Sequence, residues 1–183
     1  MLGCVRRFDP RRAAWRALVT AALWVAVPAC AQPADLPMRV VSMNLCTDQL
    51  ALALADPGQI VSLSHFATDP GMSVHWKQAE EYPLNYGRAE EISILRPDLV
   101  LADTWSNPDT IRMLKTLGSR VEQLPPSTSL PEIRARITKM GALLGHPKRA
   151  AKMLADFNAR LAAIKRPAKG LRAAVIGPSG YGY

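Results

Sequence analysis

Residues 88–102, RAEEISILRPDLVLA, constrain the fold of this chain more than any other stretch. Ile92 and Leu95 are three apart, so one helical face carries both toward a core. Pro97 has no amide hydrogen and stops that helix, which biases Arg96 toward extended backbone. Leu99, Val100, Leu101 and Ala102 follow as an unbroken apolar run, as expected of a parallel strand covered on both faces. Asp103, Thr104 and Trp105 then fall at the strand's carboxyl end, where open α/β sheets place ligands. Helix, break and buried strand together predict an α/β domain.

The rest of the chain repeats that alternation. Strands are expected at residues 39–43, 60–63, 99–102 and 120–124; residues 82–87 read as a loop, with a short strand as the alternative. Helices are expected at 47–55 and 72–81. Another should start at Asn107 as cap with Pro108 in its first turn, bury Ile111, Leu114 and Leu117, and stop at Gly118. Ser129 and Glu132 form a capping box for a helix with an Ile133, Ile137, Met140 and Leu144 stripe. Gly145-His146-Pro147 breaks the chain and opens a longer helix, residues 147–165, whose stripe is Ala150, Leu154, Phe157, Leu161 and Ile164. After a second break at 166–170, residues 171–176 read as a strand and 177–183 as a loop. The expected architecture is a doubly wound parallel-sheet lobe, then a long helix, then the first strand of a truncated second lobe. The domain reading is a leader at 1–31, an α/β ligand-binding lobe at 32–146, an interlobe helix at 147–166 and the start of a second lobe at 167–183.

A length of 183 residues and an apolar fraction of 49% suit one packed domain, or one and the start of another. The formal charge of +8 is unevenly placed: Arg6, Arg7, Arg11, Arg12 and Arg16 crowd the first thirty-one residues. No basic run follows them, so nucleic acid is not an expected partner. That arginine-rich start, the apolar segment from Ala17 to Val27 and the Ala29-Cys30-Ala31 site have the layout of a secretory signal cleaved after Ala31. The competing reading is a lipoprotein signal with Cys30 as its lipidated end, although Pro28 is atypical there. Either places the mature chain in the periplasm, an oxidising compartment. Cleavage leaves Cys46 as the only cysteine, read as a small buried side chain.

These strings, in this order and spacing, resemble the periplasmic substrate-binding proteins of ABC importers for metal chelates. RVVSMNLCTDQLALAL (39–54) is similar to that family's opening strand, turn and helix, and QIVSLS (59–64) to its second strand. EEISILRPDLVLA (90–102) is the most recognisable match; LKTLGSRVEQLP (114–125) and TSLPEIRARITKMGALLGHPKRAAKML (128–154) continue it. The resemblance implies a two-lobed clamp that holds an iron–siderophore, haem or cobalamin chelate between its lobes and delivers it to an inner-membrane permease. A monomer with no resident cofactor is expected.

On the family pattern the ligand meets the loops after the strands: Asn44, Leu45 and Cys46; then His65 and Phe66; then Tyr86 and Arg88; then Thr104 and Trp105. Aromatic faces suit flat macrocycles and aryl chelates, and an arginine can meet their anionic groups. The plain alternative for each aromatic is packing under a loop. Glu90 matches the glutamate that pairs with permease arginines, against the alternative of a solvated helix carboxylate such as Glu91. Free-metal binding would need three or four convergent ligands, and His65, His75 and His146 do not have that spacing; His65 is the candidate axial ligand if the chelate is haem. A binding module that feeds a sensor or receptor fits the same residues. No enzyme motif is present: GxSxG, Walker, GxGxxG and HExxH are all missing, and 177–182 lacks the lysine of a phosphate loop.

Overall fold

Around Pro97 the chain turns back to grip its own first strand. The computed structural model describes residues 36–165. Helix α3 (Ala89–Ile94) ends at Leu95, and strand β4 (Leu99–Asp103) starts four residues later. Between them, Asp98 accepts the amide of Met38 at 2.8 Å and that of Arg39 at 3.0 Å. Arg39 answers with its guanidinium, donating to the carbonyls of Leu95 at 2.6 Å and Arg96 at 3.1 Å. Those carbonyls are among the orphans that every helix end leaves. The expectation for Arg96 is corrected here: it is left-handed, at φ 47°, not extended. The helix closes through the Arg96 amide on the Ser93 carbonyl, and the Arg39 clasp offsets the cost of a non-glycine residue in that region.

The clasp sets β1 (Val40–Ser42) beside β4, with Val40 opposite Leu99 and Ser42 opposite Leu101. Strands β2 (Ile60–Ser64), β3 (Leu84–Asn85) and β5 (Val121–Leu124) complete a parallel five-stranded sheet of order β3-β2-β1-β4-β5. Alternate residues serve opposite faces. Val40, Leu99 and Leu101 pack with helices α1 (Leu45–Leu54), α5 (Leu130–Leu143) and α6 (Pro147–Ala163). Val41 and Val100 pack on the other side with Ala89 and Ile92 of α3 and Leu114 of α4 (Pro108–Thr116). Helices on both faces make the lobe doubly wound, as its strand pattern predicts.

Several expectations need correction. Only Trp76–Ala79 is helical in 72–81 (α2). Leu117 is exposed, because α4 stops at Thr116 and Leu117 is already its cap. Cys46 is exposed in the first turn of α1, which turns its apolar face one residue further round. The stripe of α6 buries Ala150 fully and Leu154, Phe157 and Leu161 in part, and leaves Ile164 exposed. Gly145 does take the left-handed conformation of a helix stop, at φ 80°, and Leu36 fills the space a Cβ would need. The leader with Cys30, the strand at 171–176 and the loop at 177–183 lie outside the described residues.

Asp98→Ala removes the acceptor of the β1 amides and should lower stability by about 1.5 kcal/mol, the scale of hydrogen bonds to a charged group. Asp98→Asn keeps one acceptor and should lose less. Urea unfolding of both variants checks the order; equal stability of Asp98→Ala and the parent would dissolve the clasp.

Candidate functional site

Strand order reverses between β1 and β4, so the crevice of a doubly wound sheet opens at their carboxyl ends. All the loops expected to meet ligand leave that same edge. After β1, Asn44 caps α1, its side-chain oxygen accepting the Thr47 amide at 3.1 Å. Leu45 and Cys46 form the first turn behind it. After β4, Asp103 folds its carboxylate back onto the amides of Trp105 (2.9 Å) and Ser106 (2.7 Å) and onto the Ser106 hydroxyl. That turn leaves Thr104 and Trp105 outward, Trp105 being 81% exposed.

The exits of β2 and β3 come together. His65 and Phe66 start a 3-10 turn that runs to Thr68. The His65 ring lies 3.8 Å from the Phe66 ring centroid and stacks on Tyr86, 4.8 Å away at an interplanar angle of 23°. Phe66 and Tyr86 remain 42% and 67% exposed, so this is an aromatic surface and not core packing. Arg88, exposed, follows two residues after Tyr86 across Gly87, whose φ of 75° makes the corner. His65, Phe66, Tyr86 and Arg88 therefore form one patch beyond β2 and β3. Asn44 and Cys46 lie at the centre of the edge, and Thr104 and Trp105 beyond β4.

Four polar residues outside the expected ligand set hold these loops. Glu91, by sequence a solvated helix carboxylate, instead accepts the amides of Tyr86 (2.6 Å) and Arg88 (2.9 Å), and so shapes the corner before α3. Asn85 is buried, and its amide nitrogen reaches the Ser42 carbonyl, the Ser62 hydroxyl and the Leu63 carbonyl, each at 2.9 Å. One side chain thus ties β3 to β2 and β1 just beneath Tyr86. Asp103 makes the Trp105 turn. Asp48 is fully buried in α1 and accepts the amide and hydroxyl of Ser64, the last residue of β2. Burial pushes the Asp48 carboxyl up to about 6, with hydrogen bonds from Ser42 and Ser64 pulling it back. A signal for Asp48 did exist: it is the one charged residue in LCTDQLALAL. Glu90, by contrast, stands exposed in the first turn of α3.

The histidines do not gather. His146 bonds Gln59 at 2.8 Å and approaches Asp56 at 3.2 Å at the opposite edge of the sheet, and His75 precedes α2. Among the described residues no three His, Cys, Asp or Glu side chains converge as a metal ion needs. A cleft of about 290 Å³ beside β5, lined by Pro125, Pro126 and Arg136 among others, includes none of the expected ligand residues.

The sequence of residues 40–182 matches the family described as periplasmic binding protein. The chain belongs to that family. Among its relatives is the ferric enterobactin-binding periplasmic protein FepB of Escherichia coli O6:H1, 27% identical over 73% of this chain and 45% of that protein. A vitamin B12-binding protein of Pectobacterium carotovorum is 25% identical over 80% of this chain and 52% of its own length. The crystal structure of a periplasmic haem-binding protein from Pseudomonas aeruginosa superposes with a TM-score of 0.61 at 27% identity, covering 69% of this chain and 45% of that one. The chain thus spans about half the length of the curated relatives it matches. These periplasmic binding proteins of siderophore, haem and cobalamin systems share its parallel-sheet fold, and they are binding proteins, not enzymes. Among the described residues no helix is long and apolar enough to cross a membrane.

Asp48 makes stability depend on pH in a set direction. Its carboxyl titrates near 6 when folded and near the ordinary 3.8 when unfolded, so between those values the folded state holds more protons. The stabilisation is fully present below 3.8 and is lost as pH rises through 6, a swing of about 3 kcal/mol from a shift of this size. The stability of the parent relative to Asp48→Asn should therefore rise as pH falls from 7 to 4. Chemical denaturation of both proteins across that range measures it. A constant difference would show that Asp48 does not titrate as its burial demands.

Proposed function

We propose that this lobe captures a metal chelate (iron–siderophore, haem or cobalamin) in the periplasm and presents it to the permease of an ABC importer. One observation carries the reading most. Exposed aromatic side chains from three separate loops, Phe66, Tyr86 and Trp105, follow the carboxyl ends of the strands of a doubly wound sheet, and exposed Arg88 follows Tyr86 by two residues. Exposed aromatic clusters are costly to leave in water and are kept where a partner covers them. Flat rings and aryl groups offer the matching surface, and the guanidinium can take a carboxylate or catecholate oxygen. Relatives named for ferric enterobactin, vitamin B12 and haem support the same ligand class. In this reading Asn44, Cys46, His65, Phe66, Tyr86, Arg88, Thr104 and Trp105 form one wall of the binding cleft, and α6 is the helix that leaves it. Delivery to a sensor instead of a permease would use the same wall.

Hemin, cyanocobalamin and ferric enterobactin, titrated separately against the chain, test the ligand class. In the chain from Gln32 onward, whose tryptophans are Trp76 and Trp105, binding should quench tryptophan fluorescence, and Trp105→Ala should remove most of the quench when Trp76→Phe is the background. Truncating Tyr86 or Phe66 to alanine should weaken binding about tenfold each, the scale of one lost aromatic contact of about 1.4 kcal/mol. Binding of none of the three, or binding indifferent to all three aromatics, would remove the site from this edge.

Glu90 is the proposed contact to the permease. An exposed ion pair adds little affinity but orients the encounter and speeds it. Glu90→Arg should leave chelate titrations unchanged and depress uptake in cells carrying the importer. The proper control is an exposed carboxylate without a capping role, such as Glu81, because Glu91 is committed to the Tyr86 corner. Equal uptake with Glu90→Arg and Glu81→Arg would leave Glu90 without a specific role.

A further inference from the structure

We propose that Asp48 is a positioning residue of the ligand edge, whose ionised carboxylate holds the His65, Phe66 and Tyr86 stack in its ligand-ready orientation. The inference rests on the ligand-edge reading above and adds its regulation by pH. Asp48 never reaches solvent and contacts no chelate itself. Both of its oxygens engage Ser64: one takes the amide at 3.2 Å, the other the hydroxyl at 2.5 Å, and the Ser42 hydroxyl faces the same carboxyl. Ser64 ends β2 and immediately precedes His65, so a single peptide unit separates the carboxylate's grip from the stacked rings.

A carboxylate is an expensive way to fill this position, because among the described residues no cationic side chain pairs with it. Strands β1 and β2, helix α1 and the 3-10 turn contain no lysine or arginine. The groups facing Asp48 are hydroxyls, Ser42 from β1 and Ser64 from β2. The other titratable side chains of these elements are the exposed Cys46 and His65 itself, whose ring turns to Phe66 and Tyr86. Helix α5, also packed on α1, carries three cations: Arg134 bonds Asn158, Lys139 pairs with Glu122, and Arg136 lines the cleft beside β5. A carboxylate accepts the N–H and the O–H of Ser64 through two separate oxygens, and both bonds are charge-assisted. On protonation the oxygen facing the Ser64 hydroxyl becomes the donor and the hydroxyl the acceptor, so the pair persists as a weaker neutral hydrogen bond. The tether at the exit of β2 is then loosened. With the carboxyl raised to about 6, this happens within a mildly acidic range. Binding should be strongest with Asp48 ionised and fall as pH drops through that value. By linkage, bound ligand should in turn lower the Asp48 pKa.

The test has a ligand-free arm and a ligand arm, both on the full chain. In the first, the side-chain carboxyl 13C shift of Asp48 reports its own titration, and the backbone amides of Phe66 and Tyr86 are followed by 1H–15N spectra from pH 7.5 to 4.5. Their midpoint should coincide with that of Asp48 and vanish in Asp48→Asn. A midpoint that instead follows the His65 ring, or survives in Asp48→Asn, overturns the proposal. If Asp48→Asn fails to fold, Ser64→Ala decides: it keeps the carboxylate but removes the hydroxyl, so the response of Tyr86 should disappear, and its persistence counts against the role. In the second arm, hemin affinity of the parent should fall at least fivefold from pH 7.5 to 5, beyond any fall in Asp48→Asn. Hemin's own titration is common to both proteins and cancels in that comparison. Equal falls in the two proteins overturn the coupling. If neither binds hemin at any pH, the haem reading fails while the first arm still decides whether Asp48 sets the stack.

Discussion

The clasp between Asp98 and Arg39 is the contact on which the rest of the lobe depends. It joins two segments about sixty residues apart in sequence, at the amino ends of β1 and β4. Those strands flank the reversal of strand order, so their relative register decides where the crevice opens at the other end. A slip of one residue would exchange the two faces of β1, sending Val40 and Val41 to the wrong layers. Hydrophobic burial alone discriminates weakly here, because both faces of β1 are apolar and both are covered. A carboxylate that must find two particular amides does discriminate. The proline-aspartate pair after α3 therefore does more than end a helix: it specifies the alignment of strands in the middle of the sheet.

At the opposite edge the same economy recurs. The loops at that edge are tied by short polar side chains that bond backbone groups: Asp103 for Trp105, Glu91 for Tyr86 and Arg88, Asn85 for the strand ends and Asp48 for Ser64. Backbone groups at strand exits have lost their sheet partners, and these side chains replace them. The loops are thereby stiffened while their large side chains stay free to meet something else. Preorganisation of this kind limits the entropy lost on binding. Asp48 is the costliest member of the set, since a buried carboxylate without a counter-ion opposes folding at neutral pH. Its presence in an otherwise apolar helix is easier to account for by what it holds than by what it stabilises.

What was legible in the chain follows from where each signal lives. Periodicity and caps are local, so α4 with Asn107 and Pro108, α5 with Ser129 and Glu132, and the apolar strand at Leu99 to Ala102 could be read from their own residues. The loops that carry Phe66, Tyr86 and Trp105 could be placed on one edge once the alternation of strands and helices was known. The misreadings involve partners distant in sequence. Arg96 is left-handed because Arg39 holds its carbonyl, and no local rule contains Arg39. Glu91 looks like any exposed helix acid until the chain from Tyr86 folds over it. Asn85 occupies a two-residue strand bounded by Pro83 and Gly87, too short for a pattern, and its three acceptors come from two other strands.

Helix α6 shows how a fold can be firm at one end of an element and lenient at the other. Its start is fastened by Arg149, which donates to the Leu54 and Ala55 carbonyls and to Asp56, and by His146 on Gln59. Gln59 in turn reaches the carbonyls of Pro37 and Leu144, so the end of α1, the entry to β2 and the α5–α6 corner are one hydrogen-bonded unit. Asp56 is held below the usual carboxylate range by its bond to Arg149, so this fastening persists well into acid. Gly141 lets Ala150 approach α5 closely enough that a Cβ would collide. The first two turns of α6 are therefore fastened to the sheet by polar contacts, whereas beyond Leu154 the ties among the described residues are Arg134 on Asn158, the Arg134 guanidinium over the Phe157 ring, and the half-buried Phe157 and Leu161.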